Sequence, residues 1–213
     1  MDRASSQRRT CRGRGFSTVE LVVVLLIIGV VAAMAVLQLQ QPLGVARSDA
    51  ALREVVDQLR QAREYSIANR RYVQVSFPLS ASGTPEVQIQ EMNTLTSGGG
   101  TTNPVLSLVP IEAPMLFTLV TGMPDTPDGF GNTFPVEFEG VNASGTGTVS
   151  LYFQSDGELV DSVSLLPVNG TVFLGVAGNP TSARAITVLG TTGRVRGWKS
   201  TGLSAGVGSW VLF

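Results

Sequence analysis

Histidine is absent from the 213-residue chain, and cysteine occurs once, at position 11. The lack of histidine excludes Ser–His–Asp triads, histidine general acid–base catalysis and histidine metal ligands. The single cysteine excludes a disulfide within the chain. The tempting catalytic pair that remains is Glu137 and Glu139, whose i, i+2 spacing puts both carboxylates on one face of a strand. We interpret this pair as a solvated strand face, and we expect no enzyme, no metal site and no cofactor.

Basic residues are missing from most of the chain. Residues 72–183 contain no lysine or arginine but ten acidic residues. The whole chain has a formal charge of −1, and residues 1–15 hold five arginines and one aspartate, so residues 16–213 carry −5. This acidity argues against a general nucleic-acid coat. Asp125 and Asp128, in a long turn-rich segment, supply too few ligands for a calcium loop.

What the sequence does have is one long apolar run. Leu21 to Leu37 comprises seventeen residues without a charge, which corresponds to about 25 Å of helix. Counted from Phe16, the helix exceeds the ~30 Å thickness of the hydrocarbon core. The sequence therefore predicts a membrane-spanning helix over 16–41. Arginines precede it, so we expect the N-terminus in the cytoplasm and the rest of the chain across the membrane.

Glu20 stands near the start of this helix, where a carboxylate costs up to roughly 3 kcal/mol on insertion scales. If the chain is cut after Gly15, Phe16 gains an α-amino group that is largely protonated near neutral pH. Glu20 lies one helical turn from that amine. In a stack of parallel helices, Glu20 of one subunit can therefore meet the Phe16 amine of the next. The pattern predicts a role for Glu20 in assembly.

Together these features are similar to the class III signal of type IV pilins and type II secretion pseudopilins: a basic leader, Gly15, Phe16, glutamate at the fifth position from Phe16, and an apolar run. The resemblance implies that a prepilin peptidase cleaves between Gly15 and Phe16 and that Phe16 is methylated. It also implies a cleaved leader over 1–15, a transmembrane and filament-core helix over 16–41, and a periplasmic globular domain over 42–213. The protein would be a single-pass protein of the bacterial inner membrane.

Other interpretations of this segment stay open. Ala33, Met34 and Ala35 match the A-x-A site of an ordinary signal peptide, although Glu20 within the apolar region argues against that site. The twin arginines at 8–9 stand in a context that matches a twin-arginine signal poorly. An uncleaved signal anchor is a further alternative.

Beyond this segment the pattern predicts an α+β fold, with the long N-terminal helix packed on antiparallel β-sheet. Pro42 predicts a kink or a pause in the helix. Residues 45–70 predict an amphipathic helix, and alternation predicts a β-region over 72–213. The apolar stripe of the amphipathic helix, which we expect to pack in the core, consists of Leu52, Val55, Val56, Leu59, Ala62 and Ser66.

Two stretches, 59–77 and 151–157, resemble the GspH/FimT branch of minor pilins. This resemblance implies a pilin-like fold and a subunit of a type II secretion pseudopilus or a related type IV pilus, which supports protein secretion. The implied partners are other pilin or pseudopilin subunits, the prepilin peptidase and the inner membrane. A membrane-anchored binding module that forms no filament is the alternative from a different functional class.

A C-terminal hairpin is predicted over 185–198, with its turn at 190–193. The sequence GRVR at 193–196 looks like the G-R-x-R motif of the FimT branch, which is associated with binding DNA for uptake. Strand alternation places its two arginines and Trp198 on one face, where guanidinium groups can hold phosphates. The alternative is a solvated face that keeps an edge strand from pairing. The candidate DNA contacts are Arg184, Arg194, Arg196 and Lys199.

Overall fold

The computed structural model describes residues 17–79, 85–92, 103–143, 147–204 and 207–213. Gly15 and Phe16, the predicted processing residues, lie outside the described residues. The chain divides into two compact units, Met1–Pro42 and Leu43–Phe213.

The helix α1 runs from Thr18 to Asn69. Both predicted helices, 16–41 and 45–70, fall on this one element. Its secondary structure continues through Pro42, so the pause is absent there, while the kink stays a prediction. Proline removes one backbone donor, and a long helix keeps its other hydrogen bonds on both sides of that position.

The end of α1 has a recognisable cap. Arg70 follows the last helical residue with a φ of 51°, and the amide of Arg71 donates to the carbonyl of Ser66 at 3.2 Å. This is the bond of a Schellman motif, in which the residue after the helix adopts the left-handed conformation. The chain then turns directly into the first strand.

The first stretch of α1 is exposed on every side. All residues from 17 to 34 are exposed, among them Val19, Leu25 and Met34. Within the part of the chain that the structure describes, no helix combines the length and the apolarity that crossing a membrane requires.

The described residues of the β-region form two antiparallel sheets. The first sheet has the strand order β3-β2-β1-β7-β8, and the second has the order β12-β11-β10-β9-β5-β6, with β4 also paired to β9. Among the described residues the strands are β1 (Tyr72–Leu79), β2 (Glu86–Met92), β3 (Val105–Pro110), β4 (Leu116–Phe117), β5 (Val136–Phe138), β6 (Val141–Ala143), β7 (Gly147–Phe153), β8 (Leu159–Val160), β9 (Gly170–Val176), β10 (Asn179–Leu189), β11 (Arg194–Ser204) and β12 (Val207–Leu212).

The core lies where the second half of α1 meets both sheets. One cluster of buried side chains joins Leu52 and Leu59 of α1 to Phe77 of the first sheet and to Val172 and Ile186 of the second. All six residues of the predicted apolar stripe are buried, so the prediction that this stripe packs in the core is confirmed. The predicted α+β class, with helix on antiparallel sheet, is confirmed for the unit Leu43–Phe213.

A polar contact fastens the last turns of α1 to the first sheet. The Tyr65 hydroxyl donates to Glu91 Oε2 at 2.7 Å. This hydrogen bond to a carboxylate raises the pKa of Tyr65 above its ordinary value. The contact fixes the side of α1 that faces β2.

Candidate functional site

The predicted hairpin exists and is longer than expected. Strands β10 and β11 pair antiparallel, with Leu189 opposite Arg194 and Thr187 opposite Arg196. Val195 is buried in the core beneath the helix, while Trp198 packs with Phe173 on the other face of the sheet. Strand alternation therefore separates the two faces as the sequence predicts.

Arg196 forms an ion pair within the protein. Its Nη1 forms an ion pair with Asp128 Oδ1 at 2.5 Å. The other oxygen of that carboxylate accepts the Thr187 hydroxyl, and Trp198 Nε1 donates to the same hydroxyl oxygen at 3.0 Å. The Asp128 side chain is only 13% exposed. The charge of Arg196 is thus balanced by a carboxylate that the loop between β4 and β5 supplies.

Two other acidic residues, Asp125 of the same loop and Glu137 of β5, accept hydrogen bonds from backbone amides of the loop. Asp125 accepts hydrogen bonds from the amides of Thr126 at 2.6 Å and Gly131 at 3.0 Å. Glu137 accepts the amide of Phe134 at 3.0 Å. No group of three or more potential ligands for a metal ion occurs among the described residues. These two carboxylates hold backbone turns in place.

Glu139, the other member of the predicted acidic pair, also has a local partner. Its two carboxylate oxygens accept the backbone amide and the side-chain amide of Asn169, each at 3.2 Å. The side chain of Asn169 in turn accepts the amide of Gly190 at 2.9 Å. These bonds connect the start of β9 to the hairpin turn.

Arg184 and Lys199 do not extend the face of Arg194 and Arg196, which corrects the prediction made for them. Arg184 and Lys199 are cross-strand partners and lie on the helix-facing side, because Lys199 is an odd number of residues from Arg196. The Arg184 side chain is 1% exposed. Buried there, Arg184 is not accessible to a phosphate group.

The guanidinium group of Arg184 is fully used within the core. Its Nε and Nη2 both lie 2.8 Å from Asp49 Oδ1 of α1. Its Nη1 donates to the carbonyls of Thr181 at 2.9 Å and Ala183 at 2.8 Å. A buried arginine needs such partners, since an uncompensated charge in the core is strongly destabilising. Arg184 therefore links the helix to the second sheet.

Arg194, next to the hairpin turn, lines a cavity together with two arginines of α1. The sequence alone does not predict this proximity. Arg60, Arg63, Glu64 and Arg194 line a recess of about 550 Å³ between the helix and the hairpin turn. The rest of its wall comes from Leu189, Thr192, Gly193 and Val195. We call this cavity the basic recess.

The sequence does not predict the basic recess, because α1 and the hairpin are more than 120 residues apart along the chain. The available signals were two arginines one helical turn apart, at 60 and 63, and two glycines in the hairpin turn, at 190 and 193. Neither signal alone points to the other. Only the packing of α1 on the second sheet brings them together.

Glu20 lies in the first turn of α1 and is exposed. This position agrees with its predicted place near the helix start, and its role in assembly stays a prediction.

Comparisons with known proteins give one structural similarity. No protein-family model matches the sequence, and no curated protein matches it. Among solved structures, the chain is similar to the type IV minor pilin FimU of Pseudomonas aeruginosa (strain PAO1), with 14% sequence identity and a TM-score of 0.42. The match covers 69% of this chain and 84% of the minor pilin.

Proposed function

We propose that the chain is a minor pilin or pseudopilin subunit of the GspH/FimT type, anchored in the bacterial inner membrane by residues 16–41. It would assemble with other such subunits into a type II secretion pseudopilus or a related type IV pilus. The observation that carries the proposal is the exposed apolar stretch of α1 over 17–34. A helix that is apolar on all sides requires cover from lipid or from other helices.

Glu20 distinguishes an assembling helix from a plain anchor. A carboxylate is unfavourable in lipid, and pairing with a positive group offsets that cost. The apolar residues beside it offer no such partner, whereas the Phe16 amine of a neighbouring subunit does. The signal-like residues around Gly15 and the single carboxylate therefore support the same interpretation.

A membrane-anchored module without a filament is the second candidate. It is favoured by the same exposed apolar stretch, which any anchor would have. DNA binding by the hairpin is not proposed, because Arg184 is buried, Arg196 is paired with Asp128 and Lys199 lies on the other face. Measurements of leader processing and of filament assembly distinguish the filament subunit from the membrane-anchored module.

We expect processing after Gly15. Intact-mass measurement of the protein from cells that contain a prepilin peptidase should show loss of residues 1–15 and a methylated Phe16. Gly15→Val should leave the precursor in the membrane, as should deletion of the peptidase in the wild type. A mature N-terminus at Val36 would instead indicate signal peptidase and would contradict the pilin-type interpretation.

We expect Glu20→Leu to reduce assembly without reducing membrane insertion. Removal of the carboxylate makes insertion easier, while loss of a charge-assisted contact of about 1.5 kcal/mol lowers incorporation roughly tenfold. The measurement is the amount of variant in sheared filaments relative to the membrane pool. Val23→Leu, an apolar change one turn further along, is the matched control and should assemble normally. Normal incorporation of Glu20→Leu would refute the proposed pairing.

A further inference from the structure

We propose that the basic recess binds an acidic side chain of a neighbouring pilin-like subunit. This inference rests on the proposed function, since it supposes that such neighbours exist. It assigns a contact site to the globular unit, at the recess that Arg60, Arg63 and Arg194 line.

The charge balance of the recess favours an anion. Three arginines and one glutamate line it, and within the described residues none of these arginines has a carboxylate within 4.0 Å. Two other arginines of the second sheet do have a carboxylate partner: Arg184 has Asp49, and Arg196 has Asp128. The recess thus holds positive charge that the rest of the described chain leaves unbalanced.

Arg63 is held in position before any ligand arrives. Its side chain passes between Gly157 and Gly193, since a Cβ on Gly157 would lie 3.1 Å from Arg63 Nε and a Cβ on Gly193 would lie 2.8 Å from it. That Nε is buried and has no hydrogen-bond partner within the described part of the chain. A guanidinium group fixed in this way loses little freedom on binding a carboxylate, which is what preorganisation contributes to affinity.

The surroundings favour a protein carboxylate over a phosphate chain. Glu64 lines the recess itself, and Asp156 and Glu158 flank Gly157 beside it. A polyanion running across this surface would meet all three of these like charges, whereas a single acidic side chain entering the recess would meet only Glu64, which three arginines outweigh. Leu189 and Val195 add apolar wall, which suits the mixed surface of a protein interface.

The test uses the full-length chain in cells that express its companion subunits. The photo-crosslinking residue p-benzoylphenylalanine replaces Thr192 at the recess in one form and Val24 on the exposed helix in another. We expect both forms to crosslink to pilin-like subunits, and the peptide joined through position 192 to contain Asp or Glu at or beside the crosslink. Arg194→Gln and Arg60→Gln should each lower the crosslink at 192 roughly tenfold, with the crosslink at 24 unchanged.

Lys199→Gln, on the same strand as Arg194 but on its other face, is the matched control and should change neither crosslink. Arg194 and Arg60 are exposed, so their replacement leaves the core intact. Crosslinking at 24 without crosslinking at 192 would overturn the recess proposal and leave the proposed function standing. A crosslink at 192 that joins nucleic acid, or that Arg194→Gln does not weaken, would also overturn it. Absence of both crosslinks would refute the proposed function and the recess proposal with it.

Discussion

Replacing Asp49 with alanine is expected to lower the free energy of unfolding by about 3–5 kcal/mol. The substitution leaves the guanidinium group of Arg184 in the core, at 1% exposure, without its counter-charge. The carbonyls of Thr181 and Ala183 still accept hydrogen bonds from it, but they cannot neutralise it. Urea denaturation of the full chain in detergent, followed by the fluorescence of Trp198 and Trp210, measures the change.

Two comparisons isolate the cause. Arg47 and Glu112 form an exposed ion pair at 3.9 Å, so Glu112→Ala should cost no more than about 1 kcal/mol. Combining Asp49→Ala with Arg184→Met should recover most of the loss, because the buried charge is then gone. A double variant as unstable as Asp49→Ala alone would show that packing around Asp49, and not the unpaired charge, decides the outcome.

Gly193→Ala is expected to destabilise the chain by roughly 2–5 kcal/mol. Gly193 has a φ of +60°, and an added Cβ would clash with the carbonyl oxygen of Gly157 and would lie 2.8 Å from Arg63 Cδ. Backbone strain and steric overlap therefore act together at this position. The same denaturation experiment measures the effect.

A comparison with Gly178→Ala distinguishes backbone strain from steric overlap. It also has a positive φ, +75°, but an added Cβ there would meet nothing within 4 Å. Gly178→Ala should consequently cost only the strain, about 1–2 kcal/mol. Equal losses for Gly178→Ala and Gly193→Ala would contradict the close packing of Arg63 between Gly157 and Gly193.

Local pattern determined the helical and strand elements of this protein. The stripe from Leu52 to Ser66 has helical spacing, so burial of one side follows from sequence alone. The alternation in β1 and β2 indicates strands in the same way, because side chains of a strand alternate between faces. The apolar run that begins at Leu21, with Glu20 before it, supports the processing and assembly predictions, which stay predictions. The helix continues through Pro42, since proline lowers helix propensity without always ending a helix, and the kink expected there stays a prediction.

The tertiary structure decided what each arginine can do. The sequence predicted the same role for Arg184, Arg194 and Arg196. In the structure, Arg184 is buried against Asp49, Arg194 is exposed at the basic recess, and Arg196 is paired with Asp128. The partners of Arg184 and Arg196 lie 135 and 68 residues away along the chain. Periodicity describes the face of an element, but it contains no information about which distant element covers that face. That information comes only from the tertiary structure, in which α1 and the loop between β4 and β5 pack on the second sheet.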